Sequence, residues 1–91
     1  RAAFGIGERP RRIAQGVLEA NNGTLGTFRD MIFRTVFVGS ATGARWSSGT
    51  GSPEGVVTAP VGSLYSRTDG GAGTSLYVKE SGTGNTGWVA K

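Results

Sequence analysis

The sequence contains no cysteine and no histidine among its 91 residues. Without cysteine there is no disulfide and no thiolate metal site. Without histidine the usual general base and the commonest zinc ligand are missing. No apolar run approaches the roughly 20 residues of a membrane-spanning helix, so no span is expected. Acidic residues are scarce, six against ten Lys and Arg, which leaves a net charge of +4. A chain this short makes one small domain at most. It buries only about 60–65% of its unfolded surface. With both covalent and metal staples excluded, association between copies is the common route to stability for so small a scaffold.

Glycine, by contrast, is abundant. Seventeen residues carry that backbone freedom into the unfolded state, and ordering them costs entropy, which again favours support from a partner. Four arginines, Arg1, Arg9, Arg11 and Arg12, crowd the first twelve positions. A basic arm can track phosphate, but no aromatics are interleaved with it. A solvated arm, or a contact with an acidic partner surface, is therefore preferred to nucleic-acid binding. The first residue is not methionine and no signal-peptide pattern follows it. We read Arg1 as the start of a piece of a longer protein.

Residues 1–23 read as a basic arm. An extended lead-in over Arg1–Gly7 is followed by a short helix over Pro10–Ala20 or by continued extended chain. Pro10 suits a first helical position, and Ile13, Val17 and Ala20 fall on one face. Asn21-Asn22-Gly23 supplies a stop, while Gly16 weakens the helix. Residues 24–91 read as an all-β module. Thr27–Gly39 is its strongest strand candidate, rich in β-branched and aromatic residues. Phe28, Ile32, Val36 and Val38 share one parity; Met31, Phe33 and Phe37 share the other. A strand apolar on both faces is buried on both sides or packs against another subunit. Phe28, Ile32, Phe33, Val36 and Phe37 are accordingly the candidate trimer interface, with the central strand of a monomeric sandwich as the alternative.

Ser40–Pro53 is loop-like, with Ala44-Arg45-Trp46 as its one possible strand. Short strands are expected at Glu54–Ala59, Ser63–Ser66, Ser75–Lys79 and Gly87–Ala90. Thr68-Asp69-Gly70-Gly71 is expected to be a hairpin turn with positive φ at Gly70. Strands about ten residues apart with turns between them indicate an all-β fold. The fold class expected is a small antiparallel β-sandwich or β-prism-like module with an extended or short helical N-terminal arm, intertwined in a trimer.

Little here supports catalysis. The carboxylates are Glu8, Glu19, Asp30, Glu54, Asp69 and Glu80. A glycosidase needs two across a cleft, about 5–10 Å apart, and each of the last three has an ordinary turn or strand-end explanation. A Ser–His pair is impossible; Ser–Lys chemistry needs a buried, deprotonated lysine, and Lys79 and Lys91 sit near a strand end and the chain terminus. The glycine-rich stretches lack the Lys-Ser/Thr and helix of a phosphate loop. Dispersed acids do not make an oxygen-only metal site. No catalytic residue, cofactor or metal is expected. Tyr65, Tyr77 and Trp88 are read as core, because aromatics supply the largest buried area per residue. Trp46, on a Gly- and Ser-rich loop beside Arg45, is the candidate for an exposed saccharide contact, and Arg45 would join it.

The block from Gly51 to Lys91 adds a resemblance. Its Pro53-Glu54-Gly55, Ala59-Pro60-Val61-Gly62-Ser63-Leu64-Tyr65, Arg67-Thr68-Asp69-Gly70-Gly71, Leu76-Tyr77-Val78-Lys79-Glu80 and Gly87-Trp88 resemble a block found at or near the C-terminus of many bacteriophage and prophage tail spike and tail fibre proteins, often behind a parallel β-helix. The tail-spike-like block spans residues 53–91, under half of the chain. The resemblance implies a homotrimer, located in the virion tail outside the cell, that works with other phage tail proteins in host attachment. Any polysaccharide-degrading domain would lie elsewhere in the parent protein. A carbohydrate-binding module contacting bacterial surface polysaccharide is the alternative. Residues 1–52 carry no such resemblance.

Overall fold

The computed structural model describes residues 9–14 and 17–91. The chain divides into two compact units, Arg1–Ile32 and Phe33–Lys91. The extended lead-in expected over Arg1–Gly7 lies outside the described residues.

In the first unit, β1 (Arg9–Ala14) and β2 (Val17–Asn21) pair antiparallel, with Arg9 opposite Asn21 and Arg12 opposite Leu18. Of the two forms expected over Pro10–Ala20, a short helix or extended chain, the described residues take the extended one. An isolated helix shorter than about 12–15 residues is marginal in water, and three apolar residues on one stripe add little. Pairing gives the same backbone its partners directly, and Pro10 is tolerated because each strand of a two-stranded sheet is an edge. The turn after β2 is tied by Glu19, whose Oε1 accepts from Asn21 Nδ2 at 2.8 Å and from the Gly26 N–H at 2.9 Å. Phe28 forms a single bridge with Asn21.

The second unit is one five-stranded sheet in the order β3 (Val36–Phe37), β4 (Arg45–Gly49), β5 (Leu64–Arg67), β6 (Leu76–Lys79), β7 (Trp88–Ala90). The expected antiparallel arrangement holds for β3–β4, β5–β6 and β6–β7, but β4 and β5 run parallel, so the sheet is mixed. Parallel neighbours need a crossover of roughly a dozen residues or more, and residues 50–63 supply it. That segment was expected to hold a strand at Glu54–Ala59; it forms turns instead, with the Val56 and Val57 N–H groups donating to the Pro53 carbonyl. It crosses one face of the sheet and is pinned there. Gly55 N donates to Asn85 O at 2.7 Å, Asn85 Nδ2 returns a bond to Gly55 O, and Trp88 Nε1 donates to Val57 O at 2.8 Å.

The core lies under this crossover. Ala59, Tyr65, Tyr77 and Trp88 are buried, with Val57 packed against them. Tyr65 and Trp88 meet edge to face with centroids 6.1 Å apart, an arrangement aromatic quadrupoles favour. The three aromatics read as core are therefore core. Lys79 is buried on the same face, and its ammonium donates to the carbonyls of Ser81 at 2.7 Å and Gly82 at 2.9 Å.

Thr27–Gly39 is not one strand. Only Val36–Phe37 joins a sheet, and the segment between Phe28 and Val36 has no regular structure. β-propensity expresses packing against cross-strand neighbours, and between the Phe28 and Arg29 contacts with β2 and the pairing of Val36 with Trp46 the segment joins no strand. Its apolar side chains lie exposed: Ile32 is 96% accessible, and Phe28, Phe33, Val36 and Phe37 are all open to solvent.

Candidate functional site

Strand alternation sorts the side chains of the second unit onto two faces. Ser47, Tyr65, Tyr77, Lys79 and Trp88 face the crossover. On the other face the registers align Val36 with Trp46, Trp46 with Leu64, Leu64 with Val78 and Val78 with Val89. These five side chains form one apolar row across all five strands. Val36, Trp46 and Val89 are exposed, and Leu64 and Val78 are partly so. Ser48, Ser66 and Leu76 flank the row on the same face, so its strand residues carry no charge.

At the β3–β4 end the row opens into a groove of ≈ 220 Å³. Its lining includes Phe33, Arg34, Val36, Trp46, Ser48 and Ser66. Trp46 is 50% exposed, yet its indole is held: Nε1 donates to Ser66 Oγ at 2.8 Å. Arg34, from the loop before β3, makes no hydrogen bond or ion pair with any described residue.

Arg45 and Trp46, adjacent in sequence, are not brought together. Arg45 lies on the opposite face, its guanidinium 4.9 Å from the centroid of the Phe37 ring and its Nε donating to Gly43 O at 3.2 Å. The arginine that lines the groove with Trp46 is Arg34. Sequence reasoning missed it because only the β3–β4 pairing brings Arg34 and Trp46 to one groove. The available signal was the alternation of the Arg45-Trp46-Ser47-Ser48 strand, which separates neighbours onto opposite faces. Of the five candidate interface residues, Phe33 and Val36 line the groove and Phe37 lies across the sheet from it, while Phe28 and Ile32 belong to the first unit.

Three carboxylates of the second unit, Glu54, Asp69 and Glu80, are engaged with other parts of the chain. Glu54 Oε1 accepts the N–H groups of Gly87 at 3.0 Å and Trp88 at 2.9 Å. Glu80 pairs with Lys91 at 2.7 Å. Asp69 Oδ1 accepts from Gly51 N at 2.8 Å and from Arg67 Nε at 3.0 Å. The Gly51 N–H first, and then Arg67, hold the Asp69 carboxyl below the usual carboxylate range. Arg67 is raised in turn, first by Tyr77 and then by Asp69; its Nη1 reaches Tyr77 Oη at 3.2 Å. Among the described residues no three acidic groups gather where a metal ion could be held. Comparison with known protein families, with curated proteins and with solved structures finds no match for this chain.

Proposed function

We propose that this chain is a non-enzymatic terminal module of a bacteriophage tail spike or tail fibre. In this reading it associates as a homotrimer and supports attachment of the virion to the host surface, alongside other tail proteins. The observation that carries the reading is the uncharged apolar row Val36–Trp46–Leu64–Val78–Val89 on the open sheet face. Contiguous exposed apolar surface marks interaction sites. Residues nearest a threefold axis meet their own copies, and a face without charge avoids like-charge repulsion there in a chain that is +4 overall. Phe33 adds apolar surface at the groove end of this row; Phe37, on the other face, and Phe28 and Ile32, in the first unit, are exposed as well. The Gly51–Lys91 resemblance to tail spike and tail fibre termini supplies the biological setting. The test is a molar mass in solution by sedimentation or light scattering. Three times 9.4 kDa supports the proposal; a stable, folded monomer at micromolar concentration overturns it.

A second reading, a carbohydrate-binding module for bacterial surface polysaccharide, is favoured by one observation: Trp46 is half exposed with its indole orientation fixed by Ser66. An immobilised aromatic face beside hydroxyl groups suits the apolar face of a sugar ring. A glycan array probed with the chain and with Trp46→Ala tests it, and equal binding by both removes Trp46 from the site.

A further inference from the structure

We infer that the groove between β3 and β4 is a subsite for one carboxylate-bearing sugar, with Trp46 as the stacking platform and Arg34 as the anion-binding group. The inference deepens the carbohydrate reading and rests on it, and it requires Trp46 and Val36 to stay open to solvent rather than be covered by another copy. Three observations converge. First, Trp46 is half exposed, and its Nε1–H is already committed to Ser66 Oγ at 2.8 Å. The ring is therefore held in one orientation and little rotamer freedom is lost on binding, which lowers the entropic cost of contact. Second, Arg34 lines the same groove without a hydrogen bond or ion pair to any described residue. A guanidinium presents planar, forked donors that match a carboxylate in two parallel bonds. The other polar groups in the lining include the Ser48 and Ser66 hydroxyls, and no acidic side chain opposes the arginine there. Third, the volume of ≈ 220 Å³ falls below the roughly 300–1,000 Å³ of pockets that enclose drug-sized ligands. It suits a single ring, with the rest of the glycan left in solvent.

The pieces divide the labour. Trp46 and Val36 cover the apolar face of the ring, Ser48 offers its hydroxyl to a ring hydroxyl, and Arg34 takes the carboxylate. Arg45 has no part, since it lies on the other face over Phe37. A single such contact is weak, and repetition along an acidic polysaccharide raises the avidity of any multivalent assembly.

The test is a titration of the full chain with three probes: a glucuronate-containing oligosaccharide, the same oligosaccharide with its carboxyl groups reduced, and inorganic phosphate. The Trp46 indole N–H resonance and a calorimetric affinity are read together. The acidic oligosaccharide is expected to shift the Trp46 resonance while leaving that of buried Trp88 in place. Carboxyl reduction and Arg34→Gln are each expected to weaken binding about tenfold, the size of a lost charge-assisted contact. Arg34→Gln, which lies outside the apolar row, should leave the molar mass unchanged. Equal binding of the acidic and reduced sugars overturns the inference but preserves the carbohydrate reading; no perturbation of Trp46 by either sugar overturns both. Phosphate binding as tightly as the acidic sugar overturns it in favour of a plain anion site. A change of molar mass in Trp46→Ala assigns the indole to a subunit interface and overturns it as well.

Discussion

Glu54 and Trp88 are joined across 34 residues of sequence: one carboxylate oxygen accepts both the Gly87 and the Trp88 N–H groups, at 3.0 and 2.9 Å. The crossover thereby fastens the start of β7, and Trp88 returns the contact through its indole bond to Val57 O. Glu54→Ala removes an acceptor from two backbone donors at once. It should lower stability by about 1–2 kcal/mol, whereas Glu54→Gln, which keeps an oxygen in place, should lose less. Thermal or denaturant unfolding of the two variants separates these outcomes. Equal losses would mean that the carboxylate charge, and not the acceptor oxygen, is what matters.

The loop between β5 and β6 discriminates sharply between two adjacent glycines. A Cβ at Gly70 would collide with the carbonyl of Thr74, while one at Gly71 meets nothing within 4 Å. Gly70→Val should therefore lower the melting temperature clearly, and Gly71→Ala should change it little. The mechanism differs from the positive φ expected at Gly70: in this wider loop the left-handed position is Gly73, at φ 77°. Gly70 is required for close backbone approach.

Asp69 gives a dependence on acid. Its carboxyl is held below its ordinary value by the Gly51 N–H and by Arg67, so the unfolded chain binds the proton more readily than the folded one. Stability from this group is present above the ordinary aspartate value of about 3.9 and is lost as pH falls through the lower folded value. Asp69→Asn should keep the fold, since its amide oxygen can still accept from Gly51, and should flatten the acid limb of melting temperature against pH below about 4. The exposed position keeps the effect small. An unchanged acid limb in the variant would remove Asp69 as its source.

Lys79 is fully buried and its ammonium spans the carbonyls of Ser81 and Gly82. Lys79→Met keeps the stem and removes the donors. It should cost about 1.5–3 kcal/mol, the range for hydrogen bonds to charged groups. Faster amide exchange in the 81–87 loop, measured by hydrogen–deuterium exchange, would show that the lysine orders this turn. Unchanged exchange with a lowered melting temperature would place its effect in packing alone.

The open face supplies the assembly variants. Val78→Asp places a charge in the middle of the apolar row and should dissociate the proposed trimer, with the monomer retaining β-sheet circular dichroism. Each apolar side chain buried between copies is worth about 1.5–3 kcal/mol. Phe33→Asp, at the groove end, should also weaken association. Concentration-dependent sedimentation of both variants checks this, and an unaltered mass for Val78→Asp would exclude the face as the interface.

Three of the five strands of this sheet were legible almost to the residue. Ser63–Ser66, Ser75–Lys79 and Gly87–Ala90 became Leu64–Arg67, Leu76–Lys79 and Trp88–Ala90, because short apolar alternations flanked by glycine turns have few other solutions. The core aromatics followed from the same pattern. Val56 and Val57 misled, since β-branched residues in a crossover look like a strand until Pro53 and Pro60 are seen to bound a turn. The parallel β4–β5 step was not legible either: pairing direction depends on where residues 50–63 travel, which no local pattern records. Trp46 was recognisable as an exposed aromatic on a polar stretch. Its neighbour in space was not, because Arg45 is one residue away in sequence and on the wrong face, while Arg34 arrives from the loop before β3, twelve positions earlier.

The parallel join also has a kinetic consequence. β5, β6 and β7 follow one another through local loops, and such short closures form early and at little entropic cost. β4 can dock on β5 only after residues 50–63 have swung across the sheet, and Glu54 can reach Trp88 only when β7 is already in place. Non-local closures of this kind slow folding. The hairpins spanning 64–90 should therefore wait with Tyr65, Tyr77 and Trp88 uncovered, and docking of the crossover, the step that buries them, sets the pace at which the native module accumulates.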